Sequence, residues 1–162
     1  MEIEEFWSFI EASKTESGEC EEQAEKLSSS LAKLKPDRIL EFHKAFIERS
    51  IEAYRWDLWG VAYILNGGCS DDGFQYFCNW LIGQGRTRFE AALLSPESVA
   101  DFVTGEEEEI ECESLGYVAI EAYESISGNF PEMNLKFPSH PSGEPWKEED
   151  LSVRFPSLAD RM

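Results

Sequence analysis

The sequence predicts an all-α fold: a multi-helix bundle built as a single domain and followed by an irregular Pro-rich C-terminal strap. Three observations lead there. Apolar residues recur at helical spacing in one segment after another between Ile3 and Ile126. Cap residues and Gly or Pro stops separate those segments. Neither an internal repeat nor a β-hairpin signal interrupts them. At 162 residues, 42% hydrophobic and 13% aromatic, the chain has material for one core, and a domain of this size buries roughly two thirds of its unfolded surface.

Taken in order, Ile3, Phe6, Trp7 and Ile10 share one face of a first short helix, with acidic residues in its opening turn where they suit the helix dipole. A polar stretch from Ser13 to Gly18 follows. Cys20, Ala24, Leu27, Leu31 and Leu34 then form a second seam at spacings of three and four. Pro36 suits the first position of a third helix, in which Ile39, Phe42, Phe46, Ser50 and Ala53 line one stripe and Leu40, Ile47, Ile51 and Tyr54 lie beside it. That arc is wider than one neighbour can cover, which marks the central helix of the bundle. Asp57 to Leu65 is nearly all apolar and reads as a buried helix stopped by Gly67 and Gly68.

Asp71 to Ile82 forms the next helix, with Phe74, Phe77, Cys78 and Leu81 on one face. Phe89 to Leu94 supplies a further turn or two. Ser95, Pro96 and Glu97 open a short helix running to Val103, with Ser95 as its cap. A long helix is expected after the Glu106 to Glu109 run, with Leu115, Val118, Ala119, Ala122 and Ile126 on its buried stripe and Gly128 at its close. The helical domain therefore spans 1–128. Over 129–162, Pro131, Pro138, Pro141, Pro145 and Pro156 forbid long regular elements, while Phe130, Leu135, Phe137, Trp146, Leu151, Phe155 and Leu158 can pack the segment on the bundle.

The formal charge is −19, from 33 acidic and 14 basic residues. Such a field repels phosphate backbones and anionic membrane surfaces and attracts cationic partners, so neither a nucleic-acid nor a membrane partner is expected. No Lys or Arg lies between Arg88 and Lys136. Glu106, Glu109, Glu113, Glu121 and Glu124 in that interval form a candidate surface for a basic protein partner; a plain solvated face is the alternative. Met1 is followed by Glu2, Glu4 and Glu5 rather than by a basic region and an apolar run, which points to the cytoplasm. The longest weakly charged stretch, Leu58 to Leu65, is too short to cross a bilayer. Cys20, Cys69, Cys78 and Cys112 are spread out without a C-x-x-C pair, so reduced thiols packed in the core are expected rather than a disulfide scaffold or a zinc site. Oligomeric state leaves no signal in the chain.

The segment least like a generic helix junction is Asn66-Gly67-Gly68-Cys69-Ser70-Asp71-Asp72-Gly73-Phe74. Its structural reading accounts for every residue type: two glycines end one helix, Ser70 or Asp71 caps the next, and the other carboxylate suits the positive helix end. The functional reading gathers Cys69, Ser70, Asp71, Asp72 and Arg86 into a small-molecule site of an enzyme or sensor. Against a Cys69 nucleophile stand the neighbouring carboxylates, which raise its pKa, and the absence of a placeable histidine from His43 or His140. Against a metal stands the divergence of adjacent Asp71 and Asp72 on a helix, so no metal ligand is assigned. Arg86 is expected to pair with Asp71 and Asp72. No P-loop, dinucleotide, zincin, nucleophile-elbow or EF-hand pattern is present, so no cofactor is assigned and a non-enzyme is favoured.

Phe6-Trp7, the run from Leu58-Trp59 through Gly67-Gly68-Cys69-Ser70-Asp71-Asp72-x-Phe74-x-x-Phe77, the continuation Trp80-Leu81-Ile82-x-x-Gly85-Arg86 and the following Pro96 together resemble the bacterial domain-of-unknown-function family numbered 4240. The resemblance covers roughly the first 125 residues. It implies a cytoplasmic, mostly helical bacterial domain and supplies no activity; Asp71, Asp72 and Arg86 carry over as signature residues only. Between an acidic interaction domain of immunity or regulatory type and a small-molecule enzyme or sensor at the Gly-Gly-Cys-Ser-Asp-Asp loop, the charge layout favours the first.

Overall fold

In the computed structural model, which describes residues 1–161, helix α1 (Ile3–Ser13) buries Phe6, Trp7 and Ile10 against α2 (Cys20–Leu31) and α3 (Pro36–Ala53). Each of these helices carries an apolar stripe at the predicted spacing, although α2 stops at Leu31 and leaves Leu34 outside it. Pro36 occupies the first turn of α3, where its missing N–H costs nothing. Helix α3 packs on α1, α5 and α7, so its wide apolar arc serves several neighbours at once. Phe42 and Phe46 meet Phe6 at ring-centroid distances of 4.9 and 6.5 Å and form the aromatic centre of this end of the core.

Helix α4 (Trp56–Leu65) and helix α5 (Asp71–Gly83) flank the Gly-Gly junction. Gln23 reaches from α2 to donate through Nε2 to the Gly83 carbonyl at 2.8 Å and to Ser13 Oγ at 3.1 Å, which partners a polar side chain that is 9% exposed. Helix α6 (Arg86–Leu94) is a complete helix rather than a turn or two. The Pro96–Phe102 segment after it is a 3-10 helix, and Ser95 makes no side-chain cap bond.

The long acidic helix does not form. Helix α7 begins only at Val118 and runs to Ser127, preceded by a 3-10 turn at Ser114–Gly116. Residues 103–113 instead cross the surface in irregular, extended form. Burial there has a period of two: Ile110 and Cys112 point inward at 5% and 3% exposure, whereas Glu109 and Glu113 face solvent and Glu111 lies between. Four consecutive glutamates would crowd like charges on one helical turn, while the extended path separates them and lets the Asn66 side chain bond the Ile110 backbone on both sides. Leu115, Val118, Ala119 and Ala122 are buried as expected, but Ile126 is 44% exposed.

Beyond Gly128 the chain stays irregular as far as the 3-10 turn Glu148–Asp150, helix α8 (Leu151–Arg154) and the 3-10 helix Pro156–Arg161. Leu151, Phe155 and Leu158 are buried, and Trp146 donates through Nε1 to the Trp56 carbonyl at 2.6 Å. Phe130 is 70% exposed and takes no part in that packing. Ser142 and Arg55 form an isolated parallel bridge, and no strand occurs among the described residues. No helix among them is long and apolar enough to cross a membrane.

Candidate functional site

The Gly-Gly junction is built as a helix stop followed by a helix start. Gly67 and Gly68 adopt φ of 65° and 121°, where a side chain would be strained, and Gly68 N–H returns to the Tyr63 carbonyl at 2.8 Å. Ser70 then caps α5, its Oγ accepting from Gly73 N–H at 3.1 Å. Trp59 Nε1 donates to the Cys69 carbonyl at 2.9 Å and so holds the connection to α4.

Asp71 has a partner that spacing did not suggest. Tyr54, 5% exposed at the end of α3, donates its hydroxyl to Asp71 Oδ1 at 2.8 Å. Burial and that carboxylate push the phenol up to about 12, so it stays a donor throughout the physiological range. Tyr54 belongs to a row of rings in which Trp56, Trp59, Phe74, Tyr54 and Phe137 follow one another at centroid distances between 4.9 and 5.8 Å. Asp72 is exposed.

The five candidate site residues do not converge. Arg86 pairs with Glu90 at 2.8 Å and faces Glu4 at 3.9 Å, not Asp71 or Asp72. The reason is length: Arg86 follows the C-terminal end of α5, and the aspartates sit at its N-terminal end, about 20 Å away along a 13-residue helix. Cys69, Ser70, Asp71, Asp72 and Arg86 line none of the main cavities. Burial, and then the charges of Glu111 and Asp71, push the Cys69 thiol up to about 11 from 9.0. Two units correspond to roughly a hundredfold smaller thiolate fraction at pH 8. Iodoacetamide should therefore alkylate Cys69 about a hundred times more slowly than a free cysteine, as followed by mass spectrometry of the native chain. Alkylation at the free-thiol rate would mean that the loop activates its cysteine.

The expected set of four reduced thiols is corrected. Cys20 and Cys112 form a disulfide with a Cα–Cα distance of 5.4 Å, and Cys69 and Cys78 are free. The partners lie 92 residues apart, so no local spacing could reveal them. The bridge ties the start of α2 to the extended segment before Ser114.

Beside that bridge lies a groove of about 390 Å³ between α2 and α7, lined by Glu21, Glu25, Glu113 and Glu121 together with Tyr117. Ser114 Oγ donates to Glu21 and holds one wall. Of the surface residues expected to act together, Glu113 and Glu121 meet here. Glu109 stands beside Glu111 on the extended segment, where burial and Glu109 raise the Glu111 carboxyl. Glu106 lies in the loop before it, and Glu124 on α7 is exposed. Glu21 and Glu25 belong to this site and escaped sequence reasoning, because a stretch rich in glutamate on α2 gives no sign of facing α7. None of Glu21, Glu25, Glu106, Glu109, Glu113, Glu121 or Glu124 has a salt-bridge partner among the described residues.

A second concavity, of about 240 Å³, opens between α3, α5 and α7, with His43, Gln75 and Asn79 on its wall and Phe137 of the C-terminal segment at its rim. Those residues also went unread, since only tertiary packing makes them neighbours.

No curated protein and no solved structure matches the chain. A family model does match, over residues 1–125, which is most of the chain and includes the Gly-Gly junction, Arg86 and the extended acidic segment. The chain therefore belongs to the family described as "Protein of unknown function (DUF4240)".

Proposed function

We propose that this protein is a non-enzymatic interaction domain, of immunity or regulatory type, whose α2–α7 groove receives a basic segment of a partner protein. The observation that carries the reading is the groove itself: Glu21, Glu25, Glu113 and Glu121 face one concave site without a cation to neutralise them. Like charges gathered in a concavity raise the local potential and accelerate the approach of a cationic partner. The −19 charge of the whole chain adds long-range steering and disfavours nucleic acid. A bacterial, cytoplasmic setting is part of the same proposal.

A synthetic Lys/Arg-rich amphipathic helical peptide serves as the probe. Its association with the full chain should slow by about tenfold between roughly 0.05 and 0.5 M salt. Glu113→Gln with Glu121→Gln should weaken binding by about tenfold, whereas Glu148→Gln with Glu149→Gln, which removes the same charge from the C-terminal segment, should change it little. Equal affinities for the two double variants would reduce the effect to net charge and remove the groove from the proposal.

A further inference from the structure

The cavity between α3, α5 and α7 has a chemistry of its own. Phe46, Ile47, Ile120 and Phe137 give it apolar and aromatic walls, and no carboxylate, ammonium or guanidinium lines it. His43 lines it although it is only 7% exposed. Ser50 on the same wall satisfies its hydroxyl on the Phe46 carbonyl, but His43, Gln75 and Asn79 find no side-chain hydrogen-bond partner among the described residues. Gln75 and Asn79 are half-buried, so their polar atoms remain open to the cavity, and three such groups converging on one small apolar concavity are an arrangement that a ligand would engage.

We propose that this cavity is a binding site for a neutral, planar, one- or two-ring heteroaromatic molecule that carries adjacent hydrogen-bond donor and acceptor atoms, as a ring carboxamide or an aminopyrimidine edge does. Size sets the first limit. A cavity of roughly 150 Å³ accepts benzene, so about 240 Å³ accommodates one ring with a substituent or two fused rings. Charge sets the second, because an ionised ligand would be desolvated with no counter-charge on the wall and, if anionic, would enter against the field of the whole chain. Polarity sets the third. Gln75 and Asn79 lie one turn apart on α5, each offering a carboxamide donor and acceptor. Burial keeps the His43 imidazole neutral at pH 7, so it adds one donor and one acceptor of its own.

Two features position these groups. A methyl added at Gly116 would stand 2.6 Å from Asn79 Nδ2, so the absence of a side chain at Gly116 leaves the carboxamide room. Phe137 closes the rim and rests on Tyr54 at 4.9 Å, and Tyr54 is held in turn by Asp71. The Gly-Gly-Cys-Ser-Asp-Asp loop thereby supports the cavity wall without entering it.

Amide NMR spectra of the full chain titrated with nicotinamide, adenine, nicotinate and benzene test the proposal. Nicotinamide or adenine should shift the backbone amides of Gln75, Asn79 and Ile120. Nicotinate, the same ring carrying a carboxylate, and benzene, which lacks polar atoms, should each bind about tenfold more weakly or worse. Asn79→Leu should weaken the preferred probe by about tenfold. Phe137→Ala, at a rim side chain that is itself 37% exposed, should weaken it even if Asn79→Leu fails to fold. Cavity amides unmoved by both neutral probes would overturn the site. So would equal binding of nicotinamide, nicotinate and benzene, which would mark a cavity without chemical preference.

Discussion

Reducing the Cys20–Cys112 bridge should lower the unfolding free energy by roughly 2–5 kcal/mol. The bond joins residues 92 apart, and holding so long a loop closed in the unfolded chain removes about 4.6 kcal/mol of conformational freedom in the chain-entropy treatment. Urea unfolding with and without a phosphine reductant gives the comparison. A Cys20→Ser, Cys112→Ser variant should unfold at the midpoint of the reduced protein and show no further response to reductant. Coincident curves for oxidised and reduced wild type would show that the bridge does not contribute to stability. The bridge also frames the acidic groove, since Glu21 follows Cys20 and Glu113 follows Cys112. Reduction should therefore weaken the basic-peptide probe together with the fold, whereas it should leave the heteroaromatic site, whose walls are α3, α5 and α7, nearer its original affinity.

Truncating Phe155 to Ala should cost about 3–5 kcal/mol, as large as a substitution in the centre of the bundle. Phe155 lies near the C-terminus, in a segment broken by prolines, yet it is 5% exposed. Its seat is Gly60 on α4: a methyl there would come within 2.8 Å of Phe155 Cε2, 3.1 Å of Leu151 Cδ2 and 3.2 Å of Trp146 Nε1. Helix propensity alone favours Gly60→Ala by about 1 kcal/mol. The close approach of three strap side chains should reverse that sign, and Gly60→Leu should displace the strap altogether. Melting curves give the stability change. Limited proteolysis identifies its origin, because a displaced strap frees the backbone around the already exposed Lys136 and Lys147 for cleavage by trypsin while the far-UV signal of the helices persists. A loss below about 1 kcal/mol for Phe155→Ala, with no gain in cleavage, would mean that the strap contributes little.

The two concave sites share Tyr117, which stands at the edge of both the acidic groove and the cavity behind α5. An occupied cavity and an occupied groove would therefore both bear on that side chain. Of the residues that build these sites, the chain showed the acidic interval directly, because charge is additive and needs no geometry. It showed the cap of α5 to within one residue, Ser70 or Asp71, since a cap and the turn it closes lie within three residues, and the bond from Gly73 N–H decides for Ser70. The pairing of Asp71 with Tyr54 lay out of reach: the two are 17 residues apart on different helices, and nothing in their types selects one carboxylate over another.

By itself the sequence determined the helical class, the positions of the first five helices to within a few residues, and the stop at Gly67 and Gly68 with a new start at Ser70 or Asp71. Those features follow from backbone sterics, capping bonds and a 3.6-residue rhythm, all of which act within a few residues of the chain. Only the tertiary structure decided that Cys20 meets Cys112, that Arg86 stands a helix length from Asp71, and that Glu21 and Glu25 face Glu113 and Glu121. It also turned residues 103–113 away from helix, because burying Ile110 and Cys112 with a period of two, anchored on Asn66, outweighs a helical turn crowded with glutamates. Contacts across tens of residues depend on how whole helices pack, and that information is held in the complete set of buried faces rather than in any one segment.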